Sequence, residues 1–353
     1  MRLTRAQQQE RTKEAVLSAA AWEFTHFGYA AAKIDRIAER ADLTRGAVYS
    51  NFPSKRSLYL AVLLAAASRP VPGPRSAPAD VASAAESFAR VWLERLPLAA
   101  DETDAGRLAA RSLTGVVDDD RSRAALAQIT RVEALLLALA LESAPAPGTG
   151  RRVRAAELIL TMLQGAAHLA ETTPGFGDPF DIALACRHLT ALPLTDDWPP
   201  PHLPFVAPAR PVREPWDVPE RLTDVLSGRP AGLGDDGVLV VLGTDRLAAT
   251  EEAVRAARPG DTVTVAHVTS DPAETGALVR LRLTDLTTSL RRVFGPAVRP
   301  ALRVVLDDRG VLATAIGAPA ADTTESAVRI HAGRIVARAD GRGAGHAAAE
   351  ASS

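Results

Sequence analysis

Ten prolines fall between Pro193 and Pro230, and they divide the chain more sharply than any other feature. Proline lacks an N–H and fixes φ near −65°, so neither a continuous helix nor a central strand can cross that interval. Before it, apolar residues recur at helical spacing with few strand signals. After it, short apolar runs such as Val238-Leu239-Val240-Val241-Leu242 alternate with helical stretches. A length of 353 residues suffices for two or three separate cores. The expected organisation is multidomain. It comprises an all-α unit over 1–70, an all-α domain over 77–192, a semi-rigid Pro-rich linker over 193–236, and an α/β domain over 237–346. The linker holds a short helix near 219–227 and packs through Trp198, Phe205 and Trp216.

Residues 8–69 read as four short helices. Ala15, Leu17, Ala19, Ala20, Phe24 and Phe27 give the first its apolar side, and Gly28 ends it. Ile34, Ile37, Ala38 and Ala41 fit one face of a second. Thr44 is placed to cap a third over 45–51. Pro53 and Ser54 precede a fourth over 55–67. Further helices are expected at 79–96, 105–117, 121–143, 151–171 and 179–192. Beyond the prolines, strands are expected at 238–242, 262–268, 302–306, 327–331 and 334–339, with helices at 246–257 and 278–294. Ala332-Gly333 supplies a hairpin turn.

The net charge of −1 is uninformative, but its distribution is not. Residues 1–70 carry eleven Lys/Arg against six Asp/Glu, whereas 71–200 carry twelve against seventeen. A basic unit joined to an acidic one is the asymmetry of a chain that docks one end on phosphate, although chance variation between segments gives the same numbers. Cys186 is the single cysteine, which excludes an intrachain disulfide and a four-cysteine zinc site. The start shows no apolar signal segment, and no run approaches the roughly eighteen apolar residues of a membrane span. A cytoplasmic location without membrane contact is expected.

The chemistry-bearing motif lies between Phe27 and Lys55. It consists of Phe27-Gly28, then Ile37-Ala38 with Ala41, then Gly46, Tyr49 and Phe52 at three-residue intervals, and Lys55 three residues later. This pattern resembles the tetracycline-repressor (TetR) family of transcriptional regulators, closely over 10–70 and in helical organisation to about 192. The resemblance implies a helix-turn-helix that binds an operator in double-stranded DNA. A helix entering the major groove must be short and faced with small or polar groups. Thr44, Arg45, Gly46, Ala47, Ser50 and Asn51 satisfy this, with Arg45 suited to guanine O6 and N7. Val48 and Phe52 turn inward onto Ile37 and Leu58. Tyr49 and Lys55 match the family's phosphate contacts, and Lys33, Arg2, Arg5 and Arg11 add charge. Two positions depart from the pattern. Ala32-Lys33 stands where a hydroxyl cap is usual, and Asp42 stands where the turn usually has glycine. The alternative is a small helical bundle with a solvated basic face.

The resemblance further implies a homodimer with a pocket for a small-molecule effector in the middle domain. Phe88, Trp92, Gln164 and His168, polar or aromatic on otherwise apolar faces, are the pocket candidates; a lone histidine such as His168 is also an ordinary core residue. Leu158, Met162, Gly165, Ala166 and Leu169 on one helix, and Ile182, Ala185, Cys186 and Leu189 on the next, form small-residue stripes that suit a dimer interface or an intrachain core. Cys186 as a redox trigger is the weaker reading, given a buried position.

Residues 238–346 resemble a degenerate thioredoxin-like or peroxiredoxin-like fold. The residues carrying this are the 238–242 run, Asp307-x-x-Gly310-x-x-Ala313-x-x-x-Gly317, and the hairpin centred on Gly333 and closed by Gly341. The thiolate such chemistry needs is missing, because Gly243-Thr244-Asp245-Arg246 follows the first strand. Glu325 and Ser326 stand where that fold has a proline. A nucleotide site is disfavoured by the lack of a glycine-rich loop, and adjacent Asp307 and Asp308 suit a turn better than paired catalysis. The chain is therefore expected not to be an enzyme and to need no cofactor or metal, its C-terminal domain being a binding or dimer-supporting module. A bifunctional protein, whose α/β domain is an enzyme or a nucleotide or redox-ligand sensor, is the alternative.

Overall fold

Short-range capping sets the first four helices. In the computed structural model, which describes residues 4–68, 77–94, 96, 112–145, 150–173, 175–197, 199–219, 221–295 and 301–352, Thr4 opens α1 (Arg5–Ala31) with a capping box to Gln7. Gly28 interrupts that helix with φ 66°, a left-handed value open to glycine. Helices α2 (Ile34–Arg40) and α3 (Arg45–Asn51) follow. Ser54 and Ser57 form a second capping box at the head of α4 (Lys55–Ala67). Val16, Ala20, Phe24, Ile37, Val48, Leu58 and Leu63 are buried together, so α1 to α3 close over α4.

The middle helices are α5 (Val81–Leu93), α6 (Asp120–Glu142), α7 (Val153–Thr172) and α8 (Pro179–Leu189). The helix expected at 105–117 falls largely outside the described residues, and its described end, 112–117, is turn. Helix α6 is long and apolar enough to cross a membrane by length and composition, contrary to the reading that no stretch approaches this. Yet 61% of its most apolar window is buried inside the protein. Leu135, Leu137 and Leu141 are at most 1% exposed, and this packing accounts for the apolar run.

The C-terminal region is α/β. Its sheet contains β1 (Arg210–Pro215), β2 (Gly237–Gly243), β3 (Thr262–Val268), β4 (Leu302–Leu306), β5 (Glu325–His331) and β6 (Arg334–Asp340), in the order β1-β6-β5-β2-β3-β4. Strands β2, β3 and β4 run parallel, while β5, β6 and β1 pair antiparallel. Central β2 is buried at every residue, matching its unbroken apolar run. Ala332 and Gly333, with φ 48° and 70°, make the expected turn between β5 and β6. Helices α9 (Thr250–Ala256), α10 (Ala277–Phe294), α11 (Val311–Ala315) and α12 (Ala344–Glu350) complete the region.

The proline-rich interval is not only a linker. Its residues Arg210–Pro215 form edge strand β1 against β6, with a register shift between Pro211 and Glu214. Prolines are tolerated there because an edge strand needs only part of its donors. Trp216 is buried, and its indole Nε1 donates to the Leu233 carbonyl at 2.7 Å. Phe205, expected to pack, is 87% exposed. Trp198 lies outside the described residues, and the described part of 219–227 is turn and bridge, not helix.

One face of the sheet (Leu239, Val241, Ala266, Val305) packs on Trp216, Leu312 and Ile316. The other (Val238, Val240, Val263, Val265) merges with the cores of the two helical units into one cluster. Helix α10 lies at this junction, burying Leu278, Val279, Leu281, Leu283, Leu286 and Val293 while packing on α4, α5 and α6.

Candidate nucleic-acid interface

Helix α3 is presented outward by a few local bonds. Asp42, at the turn position where the pattern usually has glycine, takes the left-handed φ of 54°. Thr44 caps the helix, its hydroxyl accepting the Ala47 N–H at 3.2 Å. Val48 (1% exposed) and Phe52 (6%) anchor the inner side. Thr44, Arg45, Gly46, Tyr49 and Ser50 remain exposed, with Ala47 and Asn51 at the margin. Ser50 Oγ and Asn51 Nδ2 each donate to the Ala47 carbonyl at 2.9 Å, which holds both side chains against the helix.

Arg45 stands 3.5 Å from Asp35 and 5.6 Å from the Tyr49 ring centroid. Both carboxylate and guanidinium are largely in water, so this pair is screened and easily exchanged for a stronger acceptor. It also shows that the start of α2 sits beside the start of α3. Lys33, which precedes α2, is exposed there. Arg5 and Arg11 of α1 are exposed, whereas Arg2 lies outside the described residues.

The start of α2 lacks a side-chain cap but is tied to α1. No Lys33 side-chain bond caps the helix. Instead Glu23, buried in α1, accepts the Lys33 N–H at 2.9 Å and Arg36 Nε at 2.7 Å. Burial alone would raise the Glu23 carboxyl, but the Arg36 and Lys33 bonds outweigh it and hold the group below its ordinary range. Glu23 left only one sign in the sequence, a carboxylate inside the apolar side of α1. Lys55 also differs from a freely projecting phosphate ligand. Its Nζ donates to the Ala30 carbonyl at 3.1 Å and lies 4.9 Å from the Tyr29 ring, and burial lowers its pKa.

Beyond the head, Trp92, Gln164 and His168 line one cleft of about 670 Å3, as the sequence grouped them, together with Leu281, Arg282 and Asp285 from α10. Phe88 does not join them. At 0% exposure it sits inside the core on the face α5 turns to its neighbours. Of the proposed stripes, Leu158 (38%), Leu169 (37%) and Gly165 are exposed, while Met162, Ala166, Ile182, Ala185 and Leu189 are half-buried. Cys186 corrects the reading of α8. It is 0% exposed, with its sulfur 3.9 Å from the Met162 sulfur, because α8 turns Ala183 and Cys186 inward. Phe180 (67%) and Leu184 (45%) face outward instead. Burial pushes the Cys186 thiol up to about 11.

Residues 16–62 match the TetR family of bacterial regulatory proteins. The N-terminal helix-turn-helix is of TetR type. The matched segment spans α1 from Val16 through most of α4, so the TetR-type domain contains the whole helix-turn-helix just described. No curated protein matches the chain. Several solved structures overlap it, two of them as follows. A TetR transcriptional regulator from Rhodococcus sp. RHA1 is 17% identical with a TM-score of 0.36, over 53% of this chain and 99% of that one. NalD, the secondary repressor of the MexAB-OprM multidrug efflux pump in Pseudomonas aeruginosa, is 19% identical with a TM-score of 0.34, over 54% and 99%. At those scores the overlap carries no argument about function.

Proposed function

We propose that the chain is a homodimeric transcriptional repressor that leaves a palindromic operator when a small effector binds. The observation that carries this reading is α3: seven residues, capped by Thr44 and pinned by Val48 and Phe52, with Arg45, Gly46, Tyr49 and Ser50 facing solvent. In this reading Arg45 reads base edges, helped by Ala47 and Asn51. Lys33, Tyr49 and Lys55 hold phosphates and set the register. The outward apolar residues of α7 and α8, Leu158, Leu169, Phe180 and Leu184, supply the dimer surface, and two copies place two α3 helices about one DNA turn apart. The cleft bearing Trp92, Gln164 and His168 takes an effector with both apolar and hydrogen-bonding parts. Its occupancy favours a spacing of the heads that no longer fits the groove.

The C-terminal region acts as a thioredoxin-like module without catalysis. A parallel strand–helix–strand unit, an antiparallel hairpin and a closing helix support that reading. After β2 the chain turns through Thr244–Ala249, where Arg246 binds buried Glu325 and no thiol is present. Selection of duplexes from a random pool by the full-length chain tests the proposal. Recovery of an inverted repeat is the expected result, and recovery of no preferred sequence overturns it.

A further inference from the structure

Release by an effector requires a physical link between cleft and reading head, and one helix touches both. Outside the head, α4 packs chiefly on α10 and on the Pro272–Gly276 turn that leads into it. Glu274 in that turn accepts a hydrogen bond from Ser54, the residue that caps α4, and lies 3.4 Å from Arg56 Nη1. At the other end of α4, Thr288 of α10 donates to the Ala67 carbonyl at 3.4 Å. The cleft is bounded by the same helix through Leu281, Arg282 and Asp285. Leu281, Asp285 and Thr288 stand at i, i+4 and i+7, so the surface that faces the cleft continues directly into the surface that holds α4. Arg282 ties this helix to α6 through a 2.6 Å bond to buried Glu133.

We infer that α10, a helix of the C-terminal domain, is the positioning element that reports cleft occupancy to the reading head. A packed helix moves as a unit, so an occupant that displaces Leu281 and Asp285 also displaces Glu274 and Thr288, and with them both ends of α4. The C-terminal region is thereby part of the switch itself. This inference rests on the repressor reading above.

The test uses the full-length chain and the duplex it selects. Glu274→Gln keeps the size of the side chain and removes its charge. It is expected to weaken operator binding three- to tenfold and to speed hydrogen exchange at the α4 amides, with the melting temperature little changed. Gln164→Trp, or Ala127→Phe at an exposed position on the cleft wall, stands in for an occupant and is expected to weaken binding alone. In the Glu274→Gln background that effect shrinks at least threefold, whereas unconnected sites combine within about twofold. Additive effects, or a folded cleft-filling variant with unchanged affinity and unchanged α4 exchange, overturn the inference while leaving DNA binding intact. A wild-type chain that selects no duplex instead overturns the repressor reading, and α4 exchange in the cleft-filled variant then decides the role of α10.

Discussion

Glu23 is the buried side chain that fixes the start of α2. Its carboxylate joins α1 to the start of α2 through Lys33 and Arg36, so Glu23→Gln is expected to destabilise the head by about 1.5–3 kcal/mol in urea titrations. The folded carboxyl lies below its ordinary value of 4.5. Its contribution is therefore complete above that value and is lost as pH falls through the lower folded value, and Glu23→Gln should flatten this part of the acid limb. Arg45→Ala should relax sequence choice roughly tenfold or more at one base pair, whereas Lys55→Ala should weaken all duplexes alike, as competition binding across mutated sites will show. Equal losses from both on every sequence would count against α3 as the reading helix. The Cys186 thiol, buried and raised to about 11, should resist alkylation at pH 8 until the protein is denatured. Thr44, Val48 and Phe52 were legible because a cap and an i, i+4 pair are local patterns. Glu23 was not, because its partners are ten and thirteen residues away and meet it only after α1 and α2 pack.

Elements were legible where one period dominates and obscure where context overrides residue type. The alternation in β6 and the buried run of β2 announced strands, and Ala332-Gly333 announced the turn. Strand β1 was hidden by Pro211 and Pro215, which speak against a strand unless it lies at an edge. The short terminal helices α11 and α12 carry too few turns to show a period. Helix α6 is the core of the middle unit, so Leu137→Ala is expected to cost about 2–5 kcal/mol by the shift of the urea midpoint. The sequence marked Leu158, Gly165 and Leu169, which lie exposed on α7, but not the burial of Cys186 on α8. Cys186 and Leu184 are two residues apart, which sets them about 200° apart around the helix, so one faces the core when the other faces outward. Leu158→Arg combined with Leu184→Arg should convert a dimer to a monomer in sedimentation, with the melting temperature nearly unchanged because neither side chain is buried in the protomer. A monomeric wild type would remove the basis for an inverted-repeat operator.

At the scale of the molecule, composition suggested domains strung along a linker, yet the cores of the head, the middle helices and one sheet face are continuous. Tertiary packing of this kind leaves no local trace in sequence, because apolar residues on α10 look the same whichever neighbour covers them. The central claim remains that α3 of the TetR-type domain enters a major groove while basic side chains around it neutralise phosphates. Quantitative footprinting of the selected duplex between 50 and 200 mM salt tests it most directly. Two protected half-sites about one turn apart are predicted, with affinity falling by orders of magnitude over that range and Arg45→Ala relaxing the preference at one base pair of each half-site. Uniform protection that ignores both sequence and salt would contradict it.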